Sequence, residues 1–407
     1  MRISVFILLT VLLACNASWA QTDNSGTVAN LKDFLVKGKF AGEARVYYMN
    51  RHFDTPKTQE SMSAGGSLGY DTASWHGLST GLTVYTSQGV GFTNSEKDGA
   101  SLLGPGQEGY TVLGQGYLQF ETKKHKVKLF RQMLNTPFLN PHDVKMTPKT
   151  FEAYTLESQW LERFSFIVSH VTKMKDWNAT KFKSMSEAAG FSDTKEPVTL
   201  GGVIFTPKEG YTFQLWEYYC YEFMNVIYFQ ADASWKLAHD ITLSGSAQAF
   251  SQEDVGKALG GDFHTGMGGL EGGIGWRDLN LTVGFTVTDK SHDIVNPWGS
   301  WPGYTSIMEE DSDLAGEKAW VIGLSYDFTR IGLKGLSAFM NHTQSYIPDG
   351  GSFSSPDQKE TDLTIDYRFS GKLKNLSLRL RAASVENSLS TGDADYKDYR
   401  AILKYSF

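Results

Sequence analysis

Arg400-Ala401-Ile402-Leu403-Lys404-Tyr405-Ser406-Phe407 stands at the end of the chain and reads as a β-strand. Ala401, Leu403, Tyr405 and Phe407 fall on one face, and Arg400, Ile402, Lys404 and Ser406 fall on the other. A period of two, with one mostly apolar and one mostly polar face, is the pattern of a half-buried strand. At the edge of an open sheet such a strand leaves backbone N–H and C=O groups unpaired. In a closed barrel it pairs with the first strand and no edge remains. The expectation is a barrel that closes on this segment.

The other end of the chain agrees. Arg2 is a charged start, Ile3 to Leu13 is apolar but for Ser4 and Thr10, and Ser18-Trp19-Ala20 is a small-x-small cleavage site. Residues 1–20 are therefore expected to be an export signal. A second reading exists, because Leu12-Leu13-Ala14-Cys15 resembles a lipobox that would make Cys15 a lipid-bearing N-terminus. The site at Ala20 is the better formed. Cleavage there leaves Cys220 alone, so no intramolecular disulfide can form. Residues 21–38 then read as a periplasmic lead-in and residues 39–407 as the barrel.

The chain has 407 residues, 41% of them hydrophobic, and no apolar run after the leader reaches the roughly 20 residues of a spanning helix. Outer-membrane strands place their hydrophobic residues at alternate positions, so average hydropathy stays low. The net charge of −7, or −8 without Arg2, lacks the basic footprint of a nucleic-acid binder.

Alternation along the chain gives about eighteen candidate strands and an all-β fold, a transmembrane antiparallel β-barrel. In the first, near 39–52, Phe40, Gly42, Ala44, Val46 and Tyr48 oppose Glu43, Arg45 and Tyr47. Later ones put Leu281, Val283, Phe285 and Val287 outward, then Leu363, Ile365, Tyr367 and Phe369, then Leu376, Leu378, Leu380 and Ala382. Short turns near 75, 122–124, 161–162, 206–210, 238–240, 278–279, 329–332 and 371–373 alternate with longer segments near 53–64, 88–108, 135–150, 175–197, 252–266, 290–316, 346–360 and 387–395. Short periplasmic turns and long outer loops produce this parity. One outer connection, Tyr221–Phe223, breaks it by being very short. A soluble sandwich or propeller also alternates, but it explains neither the export signal nor the parity.

Eighteen strands enclose a water-filled channel, which discriminates between solutes only if loops fold inward. Residues 134–148 carry three prolines that stiffen the segment, and they follow the fifth predicted strand, where an outer loop is due. Here the chain resembles the OprD family of substrate-specific outer-membrane channels. The likeness rests on Thr136-Pro137, Asp143, Lys145, Pro148 and Phe151, and on the opening strand Gly42-Glu43-Ala44-Arg45-Val46-Tyr47-Tyr48. The family often has arginine where Lys145 stands. The resemblance implies an eighteen-stranded channel narrowed by an inward loop, with a basic ladder guiding carboxylate-bearing solutes. The ending Tyr405, Phe407 likewise resembles the assembly signal of bacterial outer-membrane barrels. It implies the barrel-assembly machinery, outer-membrane lipid and lipopolysaccharide as partners; monomer and homotrimer both stay open.

Face parity assigns the ladder independently. Arg368, Arg379, Arg381, Arg400 and Lys404 lie opposite the apolar faces, and closure makes Arg45 their neighbour. A charge on the lipid face costs about 2–4 kcal/mol near the midplane, which favours the lumen. Planar guanidinium forks match the two oxygens of a carboxylate, although lumen walls are generally charged whatever passes. Glu43 and Asp366 share this wall and offset part of it, and Asp232 and Asp327 face inward elsewhere, so a transverse field is expected.

Other motifs carry less. Gly77-Leu78-Ser79-Thr80-Gly81 matches the nucleophile elbow, but alternation continues through it. Gly104, Gly106 and Gly109 match a dinucleotide pattern interrupted by Pro105 with no helix following. Glu309, Glu310, Asp311 and Asp313 read as a solvated acidic loop with poor calcium spacing, and the histidines show no metal spacing. Trp298 and Trp301 read as packing residues, with a stacking surface as the alternative. The expected function is passive, moderately selective diffusion of small solutes such as amino acids and organic acids. A general porin is the alternative, and an outer-membrane barrel enzyme is a further one.

Overall fold

The computed structural model describes residues 27–53, 58–90, 95–347, 357–387 and 395–407. The readings of residues 1–20 and of Cys15 lie outside them. Eighteen long antiparallel strands follow one another around a closed barrel. The first nine are β1 (Lys39–Phe53), β2 (Gln59–Asp71), β3 (Leu78–Gly89), β4 (Tyr110–Glu121), β5 (His125–Gln132), β6 (Thr150–Ser158), β7 (Phe164–Lys175), β8 (Val198–Phe205) and β9 (Tyr211–Cys220). The remainder are β10 (Met224–Lys236), β11 (Ile241–Asp254), β12 (His264–Trp276), β13 (Leu279–Thr288), β14 (Lys318–Asp327), β15 (Leu336–Tyr346), β16 (Gln358–Arg368), β17 (Leu376–Asn387) and β18 (Tyr396–Ser406). A two-residue strand, Lys183–Ser184, pairs with the outer end of β7.

β1 and β18 pair with Ala44 opposite Tyr405 and Arg45 opposite Lys404. Beyond the last strand residue, Phe407 N donates to Gly42 O at 3.0 Å and Gly42 N to Phe407 O at 2.9 Å. Every strand therefore has two neighbours, which hydrocarbon surroundings demand of a backbone. Outward side chains such as Leu270, Val283 and Phe285 are exposed, forming the apolar band that faces lipid.

The loop parity holds with one difference. The first outer connection was expected over 53–64, yet the β1–β2 ladder runs out to Arg51 opposite Gln59. Polar side chains do not stop a backbone ladder once it leaves the apolar band, so polarity there misreads as a loop. The short Tyr221–Phe223 connection is a tight turn at the outer end of β9 and β10.

Much of the lumen is not wet. The inner faces of β6 to β12 carry Phe151, Val171, Leu200, Trp216, Tyr218, Val226, Tyr228, Phe250 and Met267. Three outer loops (133–149, 176–197 and 289–317) fold inside and lay Phe138, Leu139, Met185, Trp298 and Trp301 against them. Hydrophobic burial thus holds the loops in place, as in a soluble core. On the periplasmic side, the helix Leu31–Val36 packs Phe34 against Ala73 and Trp75 of the β2–β3 turn.

Candidate functional site: the basic wall and the loops that narrow it

The registers of β16, β17, β18 and β1 place the wall residues in rows. From the periplasmic side, Ser377, Lys404 and Arg45 share one row; Asp366, Arg379, Ile402 and Tyr47 share the next. Thr364, Arg381, Arg400 and Met49 follow, and then Asp362, Ala383, Asp398 and Arg51. Successive rows are two residues apart, so the cations rise in steps of roughly 7 Å over about 20 Å. Arg368, at the last position of β16, belongs to the first of these rows, opposite Ser377 at the periplasmic rim.

Most of these cations have partners. Arg379 meets Asp366 with two bonds of 2.7 and 2.9 Å, Lys404 pairs with Glu43, and Arg400 Nε bonds Asp398 Oδ1 at 2.7 Å. Arg45 bonds Glu43 at 2.7 Å and Asp143 with two bonds of 2.9 Å each. Five cations (Lys404, Arg45, Arg51, Arg379 and Arg400) pair with five carboxylates (Glu43, Asp143, Asp366, Asp398 and Glu309). Arg381 stands outside these pairs. Its Nε donates to Thr364 Oγ1 at 3.1 Å, and it forms no ion pair among the described residues, with the Asp362 carboxylate of the next row attracting it from further off.

Asp143 reaches this wall because residues 133–149 turn into the lumen. Thr136 starts the turn, its backbone N–H and its hydroxyl both donating to Leu139 O at 2.9 Å. Asn140 Oδ1 accepts from Ser300 N at 2.9 Å, which fastens the 289–317 loop to this one. Pro137 and the buried Pro148 bracket the segment, and Trp177 Nε1 donates to His142 O at 2.6 Å. Beyond Asp143, the carbonyl of Lys145 accepts from Arg45. The Lys145 ammonium is buried beside Met49 Sδ at 3.5 Å, and burial, with Arg400 and Arg51 nearby, lowers its pKa to about 7.

The acidic loop departs from the sequence reading. Glu309 is buried, not solvated, and its carboxylate bridges Arg51 and Arg400. The bend is fixed by Glu360, which accepts from the backbone N–H groups of Met308, Glu309 and Glu310 at 3.2, 3.1 and 2.9 Å. Glu310 takes the Tyr396 hydroxyl at 2.7 Å and Asp311 that of Ser306 at 2.6 Å. Burial, with Asp311 and Glu317 close by, pushes Asp313 up to about 7. Trp298 and Trp301 are packed inside, Trp298 Nε1 donating to Met185 O at 2.9 Å and Trp301 standing edge-on to Phe250.

A closed eighteen-stranded barrel with inward loops and a row of arginines is the architecture of a diffusion channel, and comparison with known proteins decides its family. The model of the outer membrane porin, OprD family, matches residues 32–407. The chain belongs to the OprD family. Porin D of Pseudomonas aeruginosa is 19% identical over 412 residues, 93% of this chain and 92% of that protein. The crystal structure of OpdK of P. aeruginosa with vanillate is 18% identical at a TM-score of 0.83, covering 92% of this chain and 99% of that one. OpdF of P. aeruginosa in complex with glucuronate is 17% identical at a TM-score of 0.79 with the same coverage. These likenesses show the fold. Family membership makes the chain an outer-membrane porin of the bacterial cell.

Across the lumen of this OprD-family porin the wall is amide-rich. Gln214 Nε2 bonds Gln230 Oε1 at 3.0 Å, and Gln230 and Ser246 both donate to Asp232 at 2.8 Å. Glu271 faces the same side, opposite Ser246 in the register. Asp327 sits elsewhere: at the periplasmic end of β14 its carboxylate accepts from Thr329 N at 2.8 Å and caps a turn. His142 and Asp143 do not form a dyad, since His142 packs on Trp177 and Asp143 is held by Arg45. Tyr405 and Phe407 point outward at the seam, both exposed. Two residues of this charged cluster escaped the sequence reading. Arg51 continues the parity of Arg45 by three further steps of two and was legible; Glu309 comes from a loop fold that strand periodicity does not encode.

Proposed function

We propose that this porin passes small carboxylate-bearing solutes, amino acids and organic acids, along the wall of β1 and β16 to β18. The observation that carries the reading is Arg381. It stands midway up the rows with no ion pair among the described residues, one row above Arg379 and opposite Arg400 in the register. A solute carboxylate supplies the direct partner that the more distant Asp362 does not, and its two oxygens match the guanidinium fork. The paired arginines on either side then exchange partners with it, so that the anion moves without a large desolvation cost. The vanillate and glucuronate of the two neighbours are both carboxylates, in keeping with this role. Thr136, Pro137, Asp143, Lys145 and Pro148 shape the constriction, and Asp232 with Glu271 supplies the opposite pole for the ammonium of a zwitterion. No bond is made or broken in this reading; solute moves down its gradient. Tyr405 and Phe407 serve as the assembly signal at the lipid-exposed seam, read by the barrel-assembly machinery, with lipopolysaccharide around the outer end.

Purified protein in planar bilayers and liposomes tests the proposal. Wild type is expected to prefer anions and to swell liposomes faster in carboxylates than in neutral sugars of equal size, and Arg381→Ala to erase both preferences. Equal rates for sugars and carboxylates in the wild type would make it a general porin.

A further inference from the structure

Arg51 and Arg400 hold two carboxylates of different kinds. Asp398 belongs to the wall: it is fully buried on β18, 3.1 Å from Arg51 Nε and 2.7 Å from Arg400 Nε. Glu309 belongs to a loop and takes the outer nitrogens, Oε2 on Arg51 Nη2 and Oε1 on Arg400 Nη2. Its side chain is 3% exposed. Two guanidinium groups closing on both oxygens of one carboxylate are a built receptor for that group. The receptor lies at the outer end of the rows that a solute descends. Its ligand is a residue of the chain itself, carried on a bend that hangs from Glu360 by three backbone N–H groups.

We propose that Arg51 and Arg400 form a carboxylate-binding site for incoming solutes, and that Glu309 is its tethered occupant, displaced when a solute binds. This rests on the reading of the wall as a carboxylate track. The exchange swaps one carboxylate for another, so two cations and two anions remain together throughout and no charge is left buried alone, the state that costs most. Glu309, released, turns away from the two guanidinium groups toward the side of the loop where Asp311 is exposed. Anions of weak affinity then fail to compete, and a solute that presents a well-formed planar carboxylate succeeds. The internal competitor sets a threshold for entry, and the constriction loop below sets the width.

The test measures block of single-channel current by benzoate, a small planar monocarboxylate, in wild type, Glu309→Gln, Arg381→Ala and Arg51→Met. Gln keeps the shape and removes the charge, so the site is left one positive charge in excess. Glu309→Gln is expected to tighten benzoate binding about tenfold, which is ~1.4 kcal/mol, and to raise anion over cation permeability several-fold. Adding Arg51→Met to Glu309→Gln is expected to remove that gain. If Arg381→Ala weakens benzoate block but Glu309→Gln leaves it unchanged, Glu309 is a permanent latch and this inference falls while the track stands. If Arg381→Ala also has no effect, the track itself falls. Should Glu309→Gln fail to give a heat-modifiable barrel, Glu360→Ala decides: it frees the bend and leaves the Glu309 side chain in place, and unchanged benzoate affinity there overturns the exchange.

Discussion

Arg45 grips Asp143 with both of its terminal nitrogens, Nη1 to Oδ1 and Nη2 to Oδ2 at 2.9 Å each, and so ties the first strand to a loop nearly a hundred residues later. The grip is one-sided in its surroundings. Arg45 is buried and keeps Glu43 as a second partner, whereas Asp143 is 40% exposed and water can solvate it. Asp143→Ala is therefore expected to weaken the seat of the 133–149 loop by roughly 1.5–3 kcal/mol, the worth of a charged hydrogen-bonded pair. The barrel itself should keep its thermal midpoint. Single-channel recordings check this: open-channel noise and mean conductance should both rise, and an unchanged trace would mean that the prolines alone hold the loop.

Arg381→Lys separates charge from shape. Lysine keeps the positive charge but offers a point donor in place of a planar fork. Selectivity between chloride and potassium should be nearly preserved, while the apparent affinity for benzoate should drop about tenfold, or ~1.4 kcal/mol. Reversal potentials and current block, measured on the same channels, report the two properties separately. Loss of ion selectivity together with affinity would show that field strength alone matters.

The Lys145 ammonium makes the seat of its loop depend on pH. Its pKa is lowered to about 7 when seated, by burial first and by Arg400 and Arg51 second, with Asp398 opposing; released into water it returns to about 10.4. The seated form therefore binds fewer protons between those two values, and seating weakens as pH falls from about 10 to about 7. Below that window no further loss arises from this group. The release equilibrium should shift by up to about tenfold per pH unit within the window. Lys145→Met, which places a thioether beside Met49, should flatten the dependence. Proteolysis of the loop in detergent-solubilised protein between pH 6 and 10 reads this out.

Trp298→Ala should unseat the third inward loop, 289–317. The indole is almost fully buried, edge-on to Phe223 and bonded to Met185 O. Truncating a buried tryptophan costs about 3–5 kcal/mol, here charged to loop packing because the indole touches the inner core and not the lipid band. A larger conductance, with new cleavage between residues 289 and 317, is the expected result. A barrel with wild-type conductance would show that Glu360 and the Arg51–Glu309–Arg400 contacts suffice.

Gly42 shows how tightly the seam is built. A Cβ there would stand 2.5 Å from the Phe407 ring and 2.8 Å from Ser67 O, closer than real contacts allow. Gly42→Ala should cost about 1–3 kcal/mol through overpacking, seen as a lower temperature for the gel-mobility shift of the folded barrel. Adding Phe407→Ala should recover only part of it, since the backbone oxygen remains.

Strand order, face assignment and turn positions were legible because lipid imposes a strict rule on alternate residues. Val283, Phe285 and Val287 must all be apolar, and they are all exposed on the outside. The rule is silent about the inside. Val171, Leu200 and Val226 point inward and are apolar too, which makes those strands greasy on both faces; the reason lies in loops that strand periodicity cannot place. Phe130 breaks parity locally: its φ of 76° turns the ring toward Tyr154, although its register partner Tyr117 faces the lumen. The shared wall of Arg45, Arg379, Arg381 and Arg400 was readable from parity, and so was the presence of Glu43 and Asp366 on it. Glu309 was not, because its position depends on three amides converging on Glu360.

The apolar packing inside β6 to β12 divides the cross-section unequally. The loops seated on that apolar half reach across to Arg45, Arg51 and Arg400 on the other. A change made in the greasy half is thereby felt at the charged half, with no residue of the ladder altered.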